Sequence, residues 1–492
     1  MSAAPRQVAE VPQTDASRNA RLEPPLVVDL DGTLVSTDLL IEAILALIER
    51  APCEALLSPL WLLRGRAAAK RELASRVRPD IESLPYRQEL CAYLREEARR
   101  GRRLVLATAN DESFASEIAR HLGFFERVIA SDGVTNLKGP AKRERLVGEF
   151  GERGFDYVGD ARSDFPVWSS ARNAVVVGGA RLSAAVAQLT TVQRVIAERT
   201  SSRVPPLFRA LRTQHWLKNL LVFVPLLAAH RWNEPAVVGR ALLAFASLCL
   251  IASGLYVCND LFDLSADRHH PRKKLRPIPA GELPLGHAVA AVPVLLAVGF
   301  SIALCLPWGF FGAAAAYLVV ALAYSLRLKR VVLLDVMLLT SLYLLRIGAG
   351  GAAVATPVSR WLLALSMFGF LSLALLKRHT EIVTMRVVTG GAGHLRGYRV
   401  ADSTPLMTMG IASGYVGALV VALYADSAAA ARFYSRPAIL WLVCPMLVYW
   451  ISYLWLMTER GRMEFDPVVF SVKDRTSQVL IAIMLGLSVL AI

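Results

Sequence analysis

Val27-Val28-Asp29-Leu30-Asp31-Gly32-Thr33-Leu34 sets the fold of the first part of the chain. It reads as an apolar strand that ends in two carboxylates, two residues apart. At the carboxyl edge of a parallel sheet, both would project into the ligand crevice. Period-two alternation aims Asp29 and Asp31 the same way, and the glycine after them lets the chain turn sharply. Outward from this stretch, short apolar β-rich runs occur at Leu26–Leu30, Arg103–Thr108, Tyr157–Gly159 and Ala174–Val177. Helical stretches such as Ser113–Leu122 and Lys142–Phe150 lie between them. Strands alternating with helices predict an α/β, Rossmann-like domain over residues 25–180, with helices on both faces of a parallel sheet. Residues 1–24 are polar, carry no apolar run of the signal-peptide kind, and read as a flexible tail. Residues 181–206 read as a helix followed by a polar linker ending at Pro205-Pro206.

Composition changes after that linker. The 492 residues are 54% hydrophobic and 19% charged with a net charge of +15, which excludes a disordered chain, a collagen-like fibre and a disulfide scaffold. The six cysteines form no CxxC pair, which argues against zinc fingers and redox motifs. Residues 1–206 carry a net charge of only +2, and residues 207–492 carry +13. A basic soluble domain would point to nucleic acid; a basic excess in loops between apolar runs points instead to a membrane and to anionic ligands. Nine apolar segments follow, at 217–230, 237–258, 287–306, 308–326, 331–352, 360–376, 404–425, 436–457 and 477–492. Most approach the ~20 residues that cross a bilayer. The expectation for 207–492 is therefore an all-α membrane bundle of nine transmembrane helices. Loops around 259–286, 327–330, 377–403 and 458–476 hold 17 Lys and Arg, against 5 in the alternate loops. The positive-inside rule makes the first set cytoplasmic and puts the N-terminal domain on the same side.

Phosphoryl transfer needs a nucleophile, a proton donor and cations against the phosphate. After the paired aspartates come Thr108 at a strand end, Lys142 opening a helix, and Gly159-Asp160 with Asp164. These supply a hydroxyl, a fixed cation and oxygen ligands for Mg²⁺. The set DxDGT, Thr, Lys, GDxxxD resembles the haloacid dehalogenase-like superfamily over roughly 25–180. The resemblance implies Asp29 as nucleophile, Asp31 as acid/base, Thr108 and Lys142 on the phosphate, and Asp29 with Asp160 on Mg²⁺. It implies Asp164 as a further metal partner and residues between Ser36 and Leu94 as a helical cap. Lys138 is the competing lysine, and Lys142 is preferred because it starts the helix.

In the membrane half, Asn259-Asp260-Leu261-Phe262-Asp263-Leu264-Ser265-Ala266-Asp267 closes the second apolar segment. Asn259, Asp263 and Asp267 at i, i+4, i+8 form one polar stripe on a helix. Carboxylates at a membrane-helix end are costly unless they bind something, and Mg²⁺ suits oxygen ligands. Arg268, Arg272, Lys273, Lys274 and Arg276 follow, so the stretch suits a Mg²⁺-diphosphate. With Ile278-Pro279-Ala280-Gly281, and with Gln214-His215-Trp216-Leu217-Lys218-Asn219 upstream, it resembles the UbiA-type intramembrane prenyltransferases over about 207–492. That resemblance implies Asn259, Asp260, Asp263 and Asp267 as metal ligands, Asp263 and Asp267 also being catalytic, and Lys218 and Arg276 on substrate. Aromatic prenyltransferases of this family usually have a second pair of aspartates. Here Tyr324 to Asp335 offers one aspartate and three cations in four positions (Arg327, Lys329, Arg330). This resembles instead the decaprenyl-phosphate phosphoribosyltransferase branch, as do Lys377-Arg378 with Glu381, Arg396 and Tyr398, and Arg460, Arg462 and Asp466. The branch implies Tyr324, Lys329, Asp335, Lys377, Arg378, Arg396 and Arg462 as substrate contacts.

The expected partners are then phosphoribosyl diphosphate and a polyprenyl phosphate, with no nucleic acid, at the cytoplasmic face of a bacterial inner membrane. Mg²⁺ is the expected cofactor of both domains. Both substrates are anionic, so they need more fixed cations than a prenyl diphosphate and a neutral ring. Transfer would leave a 5-phosphate on the lipid product, and the fused phosphatase would remove it. The alternative is an aromatic or lipid prenyltransferase with an accessory phosphatase. Acids at span ends and the lack of an internal repeat weigh against a transporter. Arg346, well inside the fifth apolar run, has Asp335 or the cavity as its expected partner.

Overall fold

The structure is a computed structural model that describes residues 23–61, 63, 65–78, 80–197, 204–389, 397–463 and 466–492. The chain packs into two bodies. One comprises Met1–Ala210 with Val257–Ala290, and the other Leu211–Tyr256 with Ala291–Ile492. The stretch read from sequence as one domain over 207–492 is therefore split by packing, because the segment carrying the Asp-rich motif belongs to the first body.

In the first body, β1 (Leu26–Val28), β2 (Leu104–Asp111), β3 (Arg127–Ser131), β4 (Asp156–Gly159), β5 (Asn173–Val177) and β6 (Thr191–Ile196) form one sheet. Its order is β3-β2-β1-β4-β5-β6, and every pairing is parallel. Both faces are covered, so the strands read as continuous apolar runs rather than alternating ones. Leu26 and Val28 enter one core with Leu104 and Leu106, while Val27 enters the other with Val105, Tyr157 and Trp168. The order reverses between β1 and β4, where a doubly wound sheet opens its ligand crevice. Asp29 and Asp160 are the first residues after these two strands. The expected cap is present as α1 (Leu39–Arg50), α2 (Pro52–Trp61) and α3 (Arg66–Arg76), followed by α4 (Gln88–Arg99) leading into β2. Asp38 caps α1 by accepting from the Ile41 amide at 3.1 Å.

A buried network braces the base of the sheet. Arg102, before β2, pairs with Asp156 at the start of β4 and with Glu97 on α4 at 2.9 Å. Removing one partner of such a buried network typically costs about 3–5 kcal/mol. The supposed linker departs from expectation. Its helix is present (Ala180–Ala187), but Thr191–Ile196 is the sixth strand, hydrogen-bonded to β5. Its alternating Thr-Val-Gln-Arg-Val-Ile pattern leaves mostly exposed side chains, as suits an edge strand.

The remaining elements are helical. Among the described residues, seven helices are long and apolar enough to cross a membrane, or eight if one bent pair counts as a span. The expected nine is not reached, because 217–230 forms a 3-10 turn run, Thr213–Phe223, and a five-residue helix, Val224–Ala228. The longest helix before the Asp-rich motif is α9 (Pro235–Phe262), 28 residues or about 42 Å. It stops inside that motif, and α10 (Leu264–His269) restarts after Asp263. Next come α11 (Leu285–Leu304), α12 (Trp308–Leu326), α13 (Leu334–Ala353), α14 (Arg360–Thr389), α15 (Ser403–Ala425) and α16 (Val443–Glu459). The last segment is bent by 86° between α17 (Pro467–Lys473) and α18 (Arg475–Ala491).

Candidate functional sites

The crevice beside β1 and β4 gathers the predicted acids. Carboxylate oxygens of Asp29, Asp160 and Asp164 all lie within 4.8 Å of one another. Lys142, on the helix Pro140–Phe150, reaches Asp29 Oδ1 at 2.7 Å and donates to the Tyr157 hydroxyl at 3.1 Å. Tyr157 donates in turn to Asp164 Oδ1 at 3.1 Å, and Thr33 donates to Asp160 Oδ1 at 2.8 Å. Asp31 accepts from the Leu39 amide at 3.1 Å and from Asn110 Nδ2 at 2.7 Å. Gly32 has φ +73°, and a Cβ there would lie 2.9 Å from Asp160 Cγ, so only glycine fits this approach.

Electrostatics follow from this crowding. Burial, then the charge of Asp38, pushes the Asp31 carboxyl up to about 7. Burial and the neighbouring Asp29 likewise push Asp160 up to about 7 and Asp164 up to about 6. Burial disfavours the Lys142 ammonium, but Asp29 and Asp164 outweigh it and hold its pKa above the usual lysine value. Asp29 and Asp164 share Lys142 and Asp160 stands beside them, so the three form an all-oxygen donor set with excess negative charge, which fits Mg²⁺. A raised Asp31 can hold a proton near neutrality and pass it to a leaving oxygen.

Lys142 is thus the lysine on the acids. Lys138 also lines the cavity. Thr108 is 1% exposed, and its Oγ1 accepts from the Asn110 amide at 3.1 Å. The polar side chain this strand sends to Asp31 is Asn110, which the sequence reading missed, as it missed Tyr157. Thr-Ala-Asn at the strand end was the available signal for Asn110.

The Asp-rich motif, in the same body, is organised differently from the expected stripe. Asn259 Nδ2 donates to Asp263 Oδ2 at 3.0 Å. Asp260 and Asp267, each 1% exposed, share the Arg276 guanidinium, 3.2 Å from Asp260 Oδ1 and also hydrogen-bonded to Asp267. The chain turns at Asp263, between α9 and α10, but the Asp263 amide donates to the Asn259 carbonyl at 2.9 Å and the Asp267 amide to the Asp263 carbonyl at 2.8 Å, which keeps the helical spacing across the turn. What differs from expectation is the pairing of Asp260 and Asp267 with Arg276. The buried Asp267 Oδ1 makes no hydrogen bond, and Lys273 Nζ stands 3.2 Å away. Carboxylates held by ion pairs to Lys273 and Arg276 form an oxygen-rich cluster among basic residues, which fits a cation carrying an anionic ligand.

The second body holds the remaining candidates. Lys218 pairs with Asp466, and Lys377 lies 4.0 Å from the same carboxylate oxygen. Arg378 is buried and closed on all sides, pairing with Asp335 and Glu381 and donating to the Tyr324 hydroxyl at 2.8 Å. Tyr398 donates to Asp335 Oδ1 at 2.6 Å. Arg378, Tyr324 and Asp335, expected from the sequence as a row of substrate contacts, are bonded to one another. Lys329 is buried in the turn Leu328–Arg330, and Arg462 is exposed. Arg396 lies outside the described residues. Arg346 does not pair with Asp335. It donates to Asn219 Oδ1, to the Leu342 carbonyl (each 2.8 Å) and to the Tyr317 hydroxyl (2.7 Å).

Comparison with known proteins divides the chain by sequence into two family matches, the second of which runs through both bodies. Residues 26–169 match the haloacid dehalogenase-like hydrolase family, and residues 220–470 match the UbiA prenyltransferase family. A Sinorhizobium fredii protein named uncharacterized protein y4nM is 35% identical over 95% of this chain and 91% of its own length. The nodulation protein NoeC of Azorhizobium caulinodans is 34% identical over 56% of this chain and 91% of its own. The decaprenyl-phosphate phosphoribosyltransferase of Mycolicibacterium smegmatis is 30% identical over 58% of this chain and 91% of its own. With a family match over half its length, a haloacid dehalogenase-like domain ahead of it and membrane-length helices throughout the matched part, the chain belongs to the UbiA prenyltransferase family.

Proposed function

We propose that the membrane half transfers 5-phosphoribose from phosphoribosyl diphosphate to a polyprenyl phosphate, and that the N-terminal domain then removes the 5-phosphate. Both steps run at the cytoplasmic face of a bacterial inner membrane, because the basic loop 259–286, which the positive-inside rule assigns to that face, packs in one body with the N-terminal domain. One observation carries the reading. Two lysines, Lys218 and Lys377, share the single carboxylate of Asp466, and Asp335 is engaged by Arg378 and Tyr398. Where a two-cluster prenyl-diphosphate site would carry a second acidic cluster, the one aspartate, Asp335, is already engaged, and the lysine pair exceeds its own carboxylate by one charge, which favours a donor with an extra phosphate. The name of the mycobacterial-type relative points the same way.

In the transfer, an oxygen of the lipid phosphate bonds to ribose C1 and the C1–O bond to diphosphate breaks, the diphosphate leaving with the electron pair. The lipid phosphate is already ionised, so no general base is needed. Asp263 and Asp267, with Asn259 and Asp260, would hold Mg²⁺, which supplies charge neutralisation for the leaving diphosphate. Lys218 and Lys377 hold anionic oxygens, and positioning with electrostatic stabilisation does the rest. In the N-terminal domain Asp29, Asp160 and Asp164 would hold Mg²⁺ against the phosphate. Asp29 attacks phosphorus, Asp31 protonates the departing ribose oxygen, and water then hydrolyses the aspartyl phosphate.

The test incubates purified full-length protein with Mg²⁺, labelled phosphoribosyl diphosphate and polyprenyl phosphate, followed by mass spectrometry of the lipid. Wild type should yield polyprenyl-phosphoryl-ribose, and Asp29→Asn the same lipid heavier by one phosphate. Alkylation of an aromatic acid by geranyl diphosphate, with the ribosyl donor ignored, would overturn the transferase reading. Identical lipids from wild type and Asp29→Asn would overturn the phosphatase step.

A further inference from the structure

The acids of the first body sit in a cavity of about 1350 Å³. That exceeds the ~300–1,000 Å³ usual for small-molecule sites and far exceeds what a phosphate group needs. Its polar end is Asp29, Asp31, Asp160, Asp164 and Lys142. The cap contributes an apolar wall through Leu40, Ile41 and Ile44 of α1, Trp61 of α2 and Leu73 of α3. A third wall comes from 280–286, including Gly281, Pro284 and Leu285, together with Glu282, whose carboxylate is ion-paired with Arg209. These residues lie in the stretch matched to the UbiA family, yet they pack within the first body.

This third wall is fixed in place. Gly281 has φ +72°, and a Cβ there would lie 2.6 Å from Ser36 Cβ and 2.7 Å from the Ser36 carbonyl oxygen, so its backbone rests directly on the start of the cap. Arg268 makes a two-pronged ion pair with Glu42 of α1, at 3.0 and 2.6 Å, with both side chains less than a tenth exposed. The same guanidinium donates through Nε to the Pro279 carbonyl at 3.2 Å, which ties the loop to the cap. Leu285 is also the first residue of α11, a helix long and apolar enough to cross a membrane.

The phosphate-binding acids cannot tell one phosphomonoester from another, because the phosphate is common to all. Selection must come from contacts with the rest of the substrate. We propose that the loop 280–286 is the specificity wall of the phosphatase, and that its substrate is a phosphomonoester with a large, partly apolar body, of the lipid-linked class. This rests on the reading of the N-terminal domain as a working phosphatase. In the step, the P–O bond to the body breaks, a bond from Asp29 to phosphorus forms, and the body's oxygen takes the Asp31 proton. The body is held between the loop and the cap while this happens.

The test compares two soluble probes on the full-length protein in detergent, octyl phosphate and ribose 5-phosphate, by release of inorganic phosphate, with Asp29→Asn as blank. Wild type should favour octyl phosphate by about tenfold or more in kcat/KM. Gly281→Val, which pushes the loop off Ser36, and Leu285→Gln, which removes an apolar member of the wall, should each lower that ratio at least about fivefold. The pair is used so that one misfolded variant does not decide the matter. A wild-type ratio near one, or an unchanged ratio in a folded variant of either kind, overturns the specificity wall and leaves the phosphatase standing. Absence of Asp29-dependent release from both esters overturns the wall and the phosphatase together.

Discussion

Gly32→Ala isolates the geometry of the phosphatase site from its chemistry, since it removes no functional group. At φ +73° an alanine costs about 1–2 kcal/mol of backbone strain. Its methyl carbon would stand 2.9 Å from Asp160 Cγ and closer still to the carboxylate, where carbon atoms normally keep ~3.5–4.0 Å. Asp160 must therefore move by about 1 Å. Thr33, holding Asp160 at 2.8 Å, resists that movement, and Asp29 and Asp164 leave little room for it. A displacement of that size in a positioned group costs on the order of a hundredfold in rate, or about 2.7 kcal/mol. The expected outcome is a fall of about a hundredfold in kcat/KM for p-nitrophenyl phosphate, with the Mg²⁺ concentration for half-maximal rate raised about tenfold or more. Far-UV circular dichroism should match wild type. Wild-type kinetics at wild-type Mg²⁺ demand would refute the placement of Asp160 on the cation and the tight approach of Gly32.

Asp267→Asn should cut formation of the ribosylated lipid by about a hundredfold, at or beyond the loss usual for residues that support a metal; turnover near wild type at saturating Mg²⁺ would remove Asp267 from that role. Lys377→Met should raise KM for the phosphoribosyl donor about tenfold, because one of the two cations on Asp466 is lost, and an unchanged donor KM counts against the anion site. Arg378→Leu should act on stability first. It leaves the fully buried Asp335 without its cation, a cost of about 3–5 kcal/mol, so the melting temperature in detergent should drop by roughly 6–20 °C. Loss of activity in Arg378→Leu without any loss of thermal stability would return Arg378 to the substrate.

The sheet was legible because both of its faces are buried. Apolar runs such as Leu26–Val28 and Asn173–Val177 have no solvent face to interrupt them, and the acids after β1 and β4 mark the crevice. Thr191–Ile196 was hidden for the opposite reason, since an edge strand pairs on one side only and its side chains are mostly exposed, like those of a linker. The membrane segments announced themselves by length. The exception is 217–230, where Pro225 opens a five-residue helix after a 3-10 run and no single helix reaches bilayer length. Packing of Val257–Ala290 with the first body carries no local signal at all. It depends on the Arg268–Glu42 ion pair, whose partners are 226 residues apart.

Site residues divided along the same line between local pattern and distant partner. Asp29, Lys142, Asp160 and Asp164 came together as expected, because strand ends and a helix start fix where each must point. Arg378 and Asp335 looked like ligand-binding charges because a buried charge without a visible partner suggests a ligand. Each is in fact the other's partner, 43 residues away, with Tyr324 bonded to Arg378 and Tyr398 to Asp335. The charges left open to an anion are those whose neutralisation is incomplete, Lys218 and Lys377 with one carboxylate between them. The same count applies to the first body. Asp29 and Asp164 share one lysine with Asp160 close beside them, and that surplus of negative charge, more than any single residue, marks the place where a cation and a phosphate would meet.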